Sequence, residues 1–399
     1  MTLIAVTGGG SGGHITPVLA VAQELKKLEP ATRIMYIAQT GDSLGDIPRA
    51  DPNIDEVYTV RAGKFRRYYG SGWRQLLDVA TIAKNIRDAG YLLIGILQSY
   101  RLLKKTRPAI IFTRGSFVSV PVALAAAWLG IPYVTHDSDA IPSLVNRIIA
   151  RWATVHAVAL PKDVYPYPAD KTVMVGVPIS SKYTVETSQN ILTTRKRLGY
   201  DVNHKIIFMT GGGHGARRLN NALIAVAADL LYRFPELAII QLAGRTNVEE
   251  VTNRYNDVLS FENRGRVRVE GFANNVNELS SIANVIITRA GGTSIAEFAA
   301  QAKACIVVPN PELTGGHQTK NAQVLADRQA IVLVDEKQLA RDERALLLPI
   351  MHLLDNPAEA RALGQKLHSI AQPDSARLLG MLLLEEAAKN SKLKATKNK

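Results

Sequence analysis

A histidine closes a run of small residues, Gly8-Gly9-Gly10-Ser11-Gly12-Gly13-His14, directly after the apolar residues 3–6. A turn without Cβ atoms lets a ligand approach the backbone, and the N–H groups opening the next helix point at it. Phosphate or a sugar diphosphate suits such a cradle. Pro17 fits the first helical turn, where its missing N–H costs nothing. His14 adds a proton acceptor, since a neutral imidazole near its ordinary pKa can take a proton from a hydroxyl held beside it. The chain then repeats the device. Residues 205–209 form a second apolar run, and Thr210-Gly211-Gly212-Gly213 follows it as Thr7-Gly8-Gly9-Gly10 follows the first. A third turn, Arg289-Ala290-Gly291-Gly292-Thr293-Ser294, opens a helix in which Glu297 lies one turn in, placed to accept both hydroxyls of a ribose. Without a ligand, Ser294 and Glu297 have the spacing of a capping box. Two further polar clusters sit where sheet strands should end: His136-Asp137-Ser138-Asp139, and Gly315-Gly316-His317-Gln318-Thr319-Lys320-Asn321.

These clusters need strands to carry them. Apolar runs at 3–7, 33–38, 109–113, 132–135 and 171–175 predict strands in the first half. Further strands are expected near 205–210, 237–242, 266–270, 284–288, 304–308 and 331–334 in the second, with helical spacing between, as at Leu219, Leu223, Val226 and Leu230. Strands alternating with helices mean parallel sheets. A chain of 399 residues is too long for one ordinary core, so two doubly wound α/β domains are expected.

Composition excludes several classes. The one cysteine, Cys305, falls in an apolar run, so neither a disulfide framework nor a cysteine zinc site is expected, which fits a reducing cytoplasm. Residues 1–7 enter a strand with no basic-then-apolar leader pattern, and the uncharged stretch 115–136 is broken by Pro121, Gly130 and Pro132. Gly8, Gly10 and Gly13 match the dinucleotide fingerprint. That motif also wants an acid at the end of the second strand, where Ala38-Gln39-Thr40 stands instead. The net charge is +13, and residues 61–107 hold eleven lysines and arginines against Asp78 and Asp88, with Phe65, Tyr68, Tyr69 and Trp73 among them. Leu76, Val79, Ile82 and Ile86 follow at helical spacing. The stretch reads either as a solvated face on a core helix or as a docking surface for an anionic membrane. A nucleic-acid partner is not expected, because no stacking platform or recognition helix accompanies the charge. The lysine-rich residues 389–399 are expected to be disordered.

Taken together, the segments GGGSGGHITP, RGSFVSVP, HDSD with Pro142, GGGHGARRLN, RAGGTSIAE and HQTKNA resemble, in order and nearly end to end, the bacterial MurG family of N-acetylglucosamine transferases. The resemblance implies a GT-B fold, with two Rossmann-like domains and an interdomain cleft. It places an acceptor and membrane-facing domain over 1–180 and a UDP-sugar domain over 181–360. A helical segment at 361–388 returns to the first domain, and a basic tail follows at 389–399. It implies an inverting, metal-independent enzyme without cofactor. The sugar would move from UDP-N-acetylglucosamine to the 4-hydroxyl of an undecaprenyl-diphosphate-linked muramyl peptide, at the cytoplasmic face of the cell membrane. The membrane surface and cell-wall synthesis proteins are its implied partners.

Residue by residue, the resemblance assigns catalysis to His14, with Asp137 as second base and Asp139 third. Ser11, Gly12 and Gly13 would lie against the diphosphates, and Gly213, at a position usually serine, near the donor phosphates. Ala273 would offer backbone groups to uracil. Gly292, Thr293, Ser294, Ile295 and Ala296 would cradle the donor diphosphate, with Glu297 on the ribose. Gln318, beside His317, would meet the sugar hydroxyls, supported by Asn321. The chain departs from the family at Asp137, commonly glutamate, and at Ser180, often arginine. These departures leave room for a GT-B enzyme of different sugar or lipid, or for a non-catalytic binding subunit.

Overall fold

In the computed structural model, which describes residues 2–10, 12–63, 79–212, 215–312 and 316–397, thirteen strands form two parallel sheets. The first contains β1 (Leu3–Thr7), β2 (Arg33–Gln39), β3 (Glu56–Val60), β4 (Ile110–Thr113), β5 (Tyr133–Asp137), β6 (Val155–Val158) and β7 (Thr172–Met174), in the order β3-β2-β1-β4-β5-β6-β7. The second contains β8 (Lys205–Thr210), β9 (Leu237–Leu242), β10 (Val267–Glu270), β11 (Val285–Thr288), β12 (Cys305–Val307) and β13 (Val332–Leu333), ordered β10-β9-β8-β11-β12-β13. Both sheets grow one way from their first strand and then reverse. The switch falls between β1 and β4 in one and between β8 and β11 in the other, and at such a point the loops leave a crevice at the carboxyl edge. Topology therefore sets the turn after β1 beside the turn after β4, and the turn after β8 beside the turn after β11.

The chain divides into two units, Met1–Ser180 with Asp374–Lys399, and Ser181–Pro373. Alternation along β1 sends Ile4 and Val6 to one face and Ala5 to the other. On the first face they meet Val21 and Leu25 of the helix Gly12–Leu28, together with Leu379, Leu383 and Ala387 of the helix Ser375–Lys397. On the second face Met35, Ile37 and Ile111 meet Leu103 of the helix Val79–Thr106 and Val122 of the helix Ser119–Leu129. The second sheet is likewise covered on both faces, which is why its central strands β8, β11 and β12 are largely apolar, whereas the edge strand β10 reads Val267-Arg268-Val269-Glu270.

Several expectations need correcting. β3 and β6 carry no long apolar run, because β3 is a half-exposed edge strand and β6 is only Val155-His156-Ala157-Val158. The helix Pro357–Ile370 stays with the second unit, so the return begins at Asp374 rather than at 361. Residues 389–397 are helical rather than disordered. Lys389 pairs with Glu385 and Glu386 one turn back, and the Asn390 amide donates to the Ala109 carbonyl at 2.8 Å. Ser11, Gly213, and residues 64–78 with their aromatics and Arg66 and Arg67 lie outside the described residues.

Candidate functional site

The first unit builds its site where β1, β4 and β5 end. Gly8 turns the chain so tightly that an added Cβ would stand 2.7 Å from the Tyr36 hydroxyl. Gly115, after β4, has φ +74, and a Cβ there would overlap the Ser143 hydroxyl and reach within 2.9 Å of Asn146. These two turns and residues 39–43 enclose a cavity of about 530 Å³ lined by Gly10, His14, Asp42, Ser116 and Ser143 among others. Asp42, which sequence reasoning gave no role, accepts the Gly10 N–H at 2.8 Å and so braces the glycine turn.

Arg114 joins the pieces. Its guanidinium donates to the Gly13 carbonyl and to Ser138, bridging the β1 and β5 turns. His14 stands beside it, half-buried, with its ring bonded to the Arg114 backbone. Burial, and then the Arg114 charge, hold the imidazole at about 4, against backbone bonding and the Asp139 carboxylate, which push it up. The expectation of an ordinary pKa therefore fails: His14 is neutral at physiological pH, but as a weaker base. Its Nδ1 has no hydrogen-bond partner among the described residues, nor do the buried hydroxyls of Thr7 and Tyr36 around the same turn.

Asp137 is placed differently from the sequence expectation. It is buried, with one carboxylate oxygen accepting the Ser143 N–H at 3.0 Å and the other the Tyr167 hydroxyl at 2.7 Å. Such a carboxylate braces the loop. Burial, the largest effect, raises its proton affinity. His136 bonds the Gly176 carbonyl at 2.8 Å, and His156 meets Thr135 at 2.9 Å while stacking on Tyr167. Tyr167 and Arg114 are the participants that sequence reading missed. Arg114 lies within a quoted motif and Tyr167 far from any, and only the sheet order reveals what each touches.

Burial holds His136 at about 3 and His156 at about 4, from an ordinary 6.5. A histidine depressed on folding binds fewer protons than the unfolded chain. Its stabilisation is therefore complete above about pH 6.5 and drains as pH falls toward 3–4, by about 1.4 kcal/mol per pH unit for each such histidine. All three tryptophans belong to the first unit, so their fluorescence reads that unit alone. The expected result is a urea midpoint by tryptophan emission that falls steeply between pH 6.5 and 4, and less steeply in His156→Gln.

The second unit builds its site at β11 and β12. The helix Gly292–Ala300 starts from Gly291, which has no side chain to cap it. Ser294 lies inside the helix, so the capping-box alternative fails, and the amides of the first turn are of the kind that can meet an anion. Glu297 accepts a hydrogen bond from the Tyr183 hydroxyl, supplied by the segment that begins this unit. Arg289, next to the turn, is not a ligand group: its guanidinium is buried against Glu336 and the Val308 carbonyl. Asn321, 6 % exposed, donates to the Ala290 carbonyl at 3.0 Å and fixes the approach to Gly291. Gln318 accepts the Asn310 N–H at 2.9 Å, tying the helix His317–Ala326 to the end of β12. His317 stands half-buried at that helix's start, and Ala273 is buried after Phe272, over whose ring Arg245 sits. The structure places Gly292–Glu297, His317, Gln318 and Asn321 on neighbouring loops. Among the described residues no group of three His, Cys, Asp or Glu could hold a metal ion.

Two doubly wound units, each with glycine turns at its switch point, have the architecture of the GT-B fold class. Residues 4–158 match the model of the glycosyltransferase family 28 N-terminal domain and residues 206–372 that of the C-terminal domain, so the chain belongs to glycosyltransferase family 28. Curated relatives carry the MurG activity in their names. The UDP-N-acetylglucosamine--N-acetylmuramyl-(pentapeptide) pyrophosphoryl-undecaprenol N-acetylglucosamine transferase of Halalkalibacterium halodurans is 29% identical over 385 residues, covering 96% of this chain and 99% of its own. A Bacillus cereus enzyme of the same name is 29% identical over 90% of this chain and 94% of its own. Among solved structures, Acinetobacter baumannii MurG superposes with a TM-score of 0.70 at 23% identity, covering 96% of this chain and 100% of that one. The UDP-GlcNAc 2-epimerase of Neisseria meningitidis, bound to UDP-GlcNAc, shares the fold at 0.63 and 14% identity, over 96% and 100% of the two chains.

Proposed function

We propose that this chain transfers N-acetylglucosamine from UDP-N-acetylglucosamine to the 4-hydroxyl of a muramyl peptide carried on undecaprenyl diphosphate, with inversion. The observation that carries this reading is the match of both halves to transferases of that name. The second unit holds the donor, with Glu297 on the ribose, the opening amides of Gly292–Ala300 on the diphosphate, and Gln318 and His317 toward the sugar. Ala273 offers backbone groups to the uracil. As the bond between the anomeric carbon and the diphosphate oxygen breaks, the leaving charge grows, and fixed amide dipoles stabilise it without reorganising. The first unit holds the acceptor diphosphate against Gly12 and Gly13. His14 takes the hydroxyl proton as the new bond forms, and the acceptor's negative charge next to Arg114 offsets the cation that depresses this imidazole. Turnover of UDP-N-acetylglucosamine with the lipid acceptor tests the proposal. Turnover only with another UDP-sugar would instead favour the GT-B alternative that the serine at position 180 suggests, and UDP binding without turnover a binding subunit.

A lipid-bound acceptor brings the enzyme to the cytoplasmic membrane surface, as a peripheral protein. No described helix is long and apolar enough to cross a membrane. The helix Val79–Thr106 supports surface docking, since Ile86, Leu93 and Leu97 point outward at helical spacing (Leu93 is 65% exposed), and exposed Arg101, Lys104 and Lys105 continue the row. Basic residues near an anionic surface contribute about 1 kcal/mol each. Replacing Leu93 and Leu97 by serine and Lys104 and Lys105 by glutamine is expected to cut pelleting with anionic liposomes at least tenfold, while UDP binding stays intact. Unchanged pelleting would remove this helix from the docking surface.

A further inference from the structure

A second cavity, of about 230 Å³, lies in the second unit at the opposite edge of its sheet, where β8, β11 and β12 begin. Ile191, Ile282, Leu353 and Leu354 give it apolar walls. Its charged lining has one sign: Arg195, Lys205, Lys303 and Arg361, with no Asp or Glu among the lining residues. Glu236 pairs with Lys205 at 3.0 Å but is 37% exposed at the rim.

Among the described residues, two of these cations are held by carbonyl-type oxygens. Arg195 donates to Val202, His204 and Ile282 carbonyls and to Asn284 Oδ1, at 2.9 to 3.1 Å. Lys303 donates to the carbonyls of Ser281 and Ala283. Three of these oxygens, from residues 281–283, belong to the C-terminal end of the helix Val276–Ser281, whose dipole favours cations there. Dipoles leave the net charge in place. Arg195 Nε is buried and without a partner among the described residues. Burial, and then the Arg195 charge, push Lys303 down to about 8. Buried cations are ordinarily matched by an anion.

We infer that this cavity binds a small organic anion, its head between Lys303 and Arg361 and its apolar body against Leu353 and Leu354. Its volume leaves room for a short-chain carboxylate or phosphate ester. The site is independent of the transferase reading.

Titration calorimetry on the full chain tests it with acetate, hexanoate and hexylammonium as probes. Hexanoate is expected to bind once per chain, about tenfold more tightly than acetate, with hexylammonium silent and saturating UDP without effect. Lys303→Met and Arg361→Gln should each weaken hexanoate about tenfold. Should the lysine variant fail to fold, the arginine variant, on an exposed side chain, decides alone. No saturable hexanoate binding, equal affinity for hexanoate and acetate, displacement by UDP, or an Arg361→Gln protein that binds as before would each overturn the inference.

Discussion

Replacing Glu297 by alanine is expected to raise the KM for UDP-N-acetylglucosamine about a hundredfold while leaving kcat within a few-fold. A carboxylate accepting two ribose hydroxyls forms charge-assisted hydrogen bonds of about 1.5–3 kcal/mol each, and they are the same before and during reaction. Interactions of that kind set KM and not kcat. Tyr183→Phe removes only the hydroxyl that orients this carboxylate, so a several-fold rise in the same constant is expected. Steady-state kinetics at saturating acceptor read both. A Glu297→Ala enzyme with unchanged KM and reduced kcat would take the residue off the ribose and place it with the reacting atoms.

The second large effect concerns the proton. His14→Ala is expected to lose 10²–10⁴ in kcat, the usual contribution of a positioned base. Its pH dependence carries more information. A base works only when deprotonated, so kcat/KM should hold as pH drops until His14 titrates at about 4 in the free enzyme. Arg114→Gln removes a nearby cation, which raises the imidazole's proton affinity and moves the acid limb upward toward 6.5. Arg114→Lys keeps the charge but not the double grip on Gly13 and Ser138, so it should lower the rate without moving the limb. Rates measured where tryptophan emission shows the first unit folded separate this shift from acid unfolding. A limb that stays put in Arg114→Gln would mean that another group supplies the base.

Sequence made most of the architecture legible because buried parallel strands announce themselves: β1, β8 and β11 are largely apolar runs, and a glycine turn follows each. β3 and β6 were hidden for the converse reason, one half-exposed and polar, the other four residues with a histidine inside. At the sites, residue types pointed correctly to loops but not to roles. Asp137 looks like a base in a polar tetrad, yet its partners Ser143 and Tyr167 lie 6 and 30 residues onward. His14 reads as an ordinary imidazole because the burial and the Arg114 charge that depress it come from a turn a hundred residues later. Ser294 and Glu297 have capping spacing, and only the helix start at Gly291 removes that reading. Pairwise spacing records what is near along the chain, and these roles are set by what is near across the sheet.

The helix Ser375–Lys397 lends Leu379, Leu383 and Ala387 to a hydrophobic layer whose other members are all made before residue 180. On the ribosome that layer waits for 193 intervening residues, roughly ten to forty seconds at ordinary elongation rates. During that interval Val21 and Leu25 lack their cover while the second unit can already close around its own core. Nascent chains halted near residue 373 should therefore recruit hydrophobe-binding chaperones to the amino-terminal half, and a nonsense mutation late in the reading frame would damage the half that was translated first.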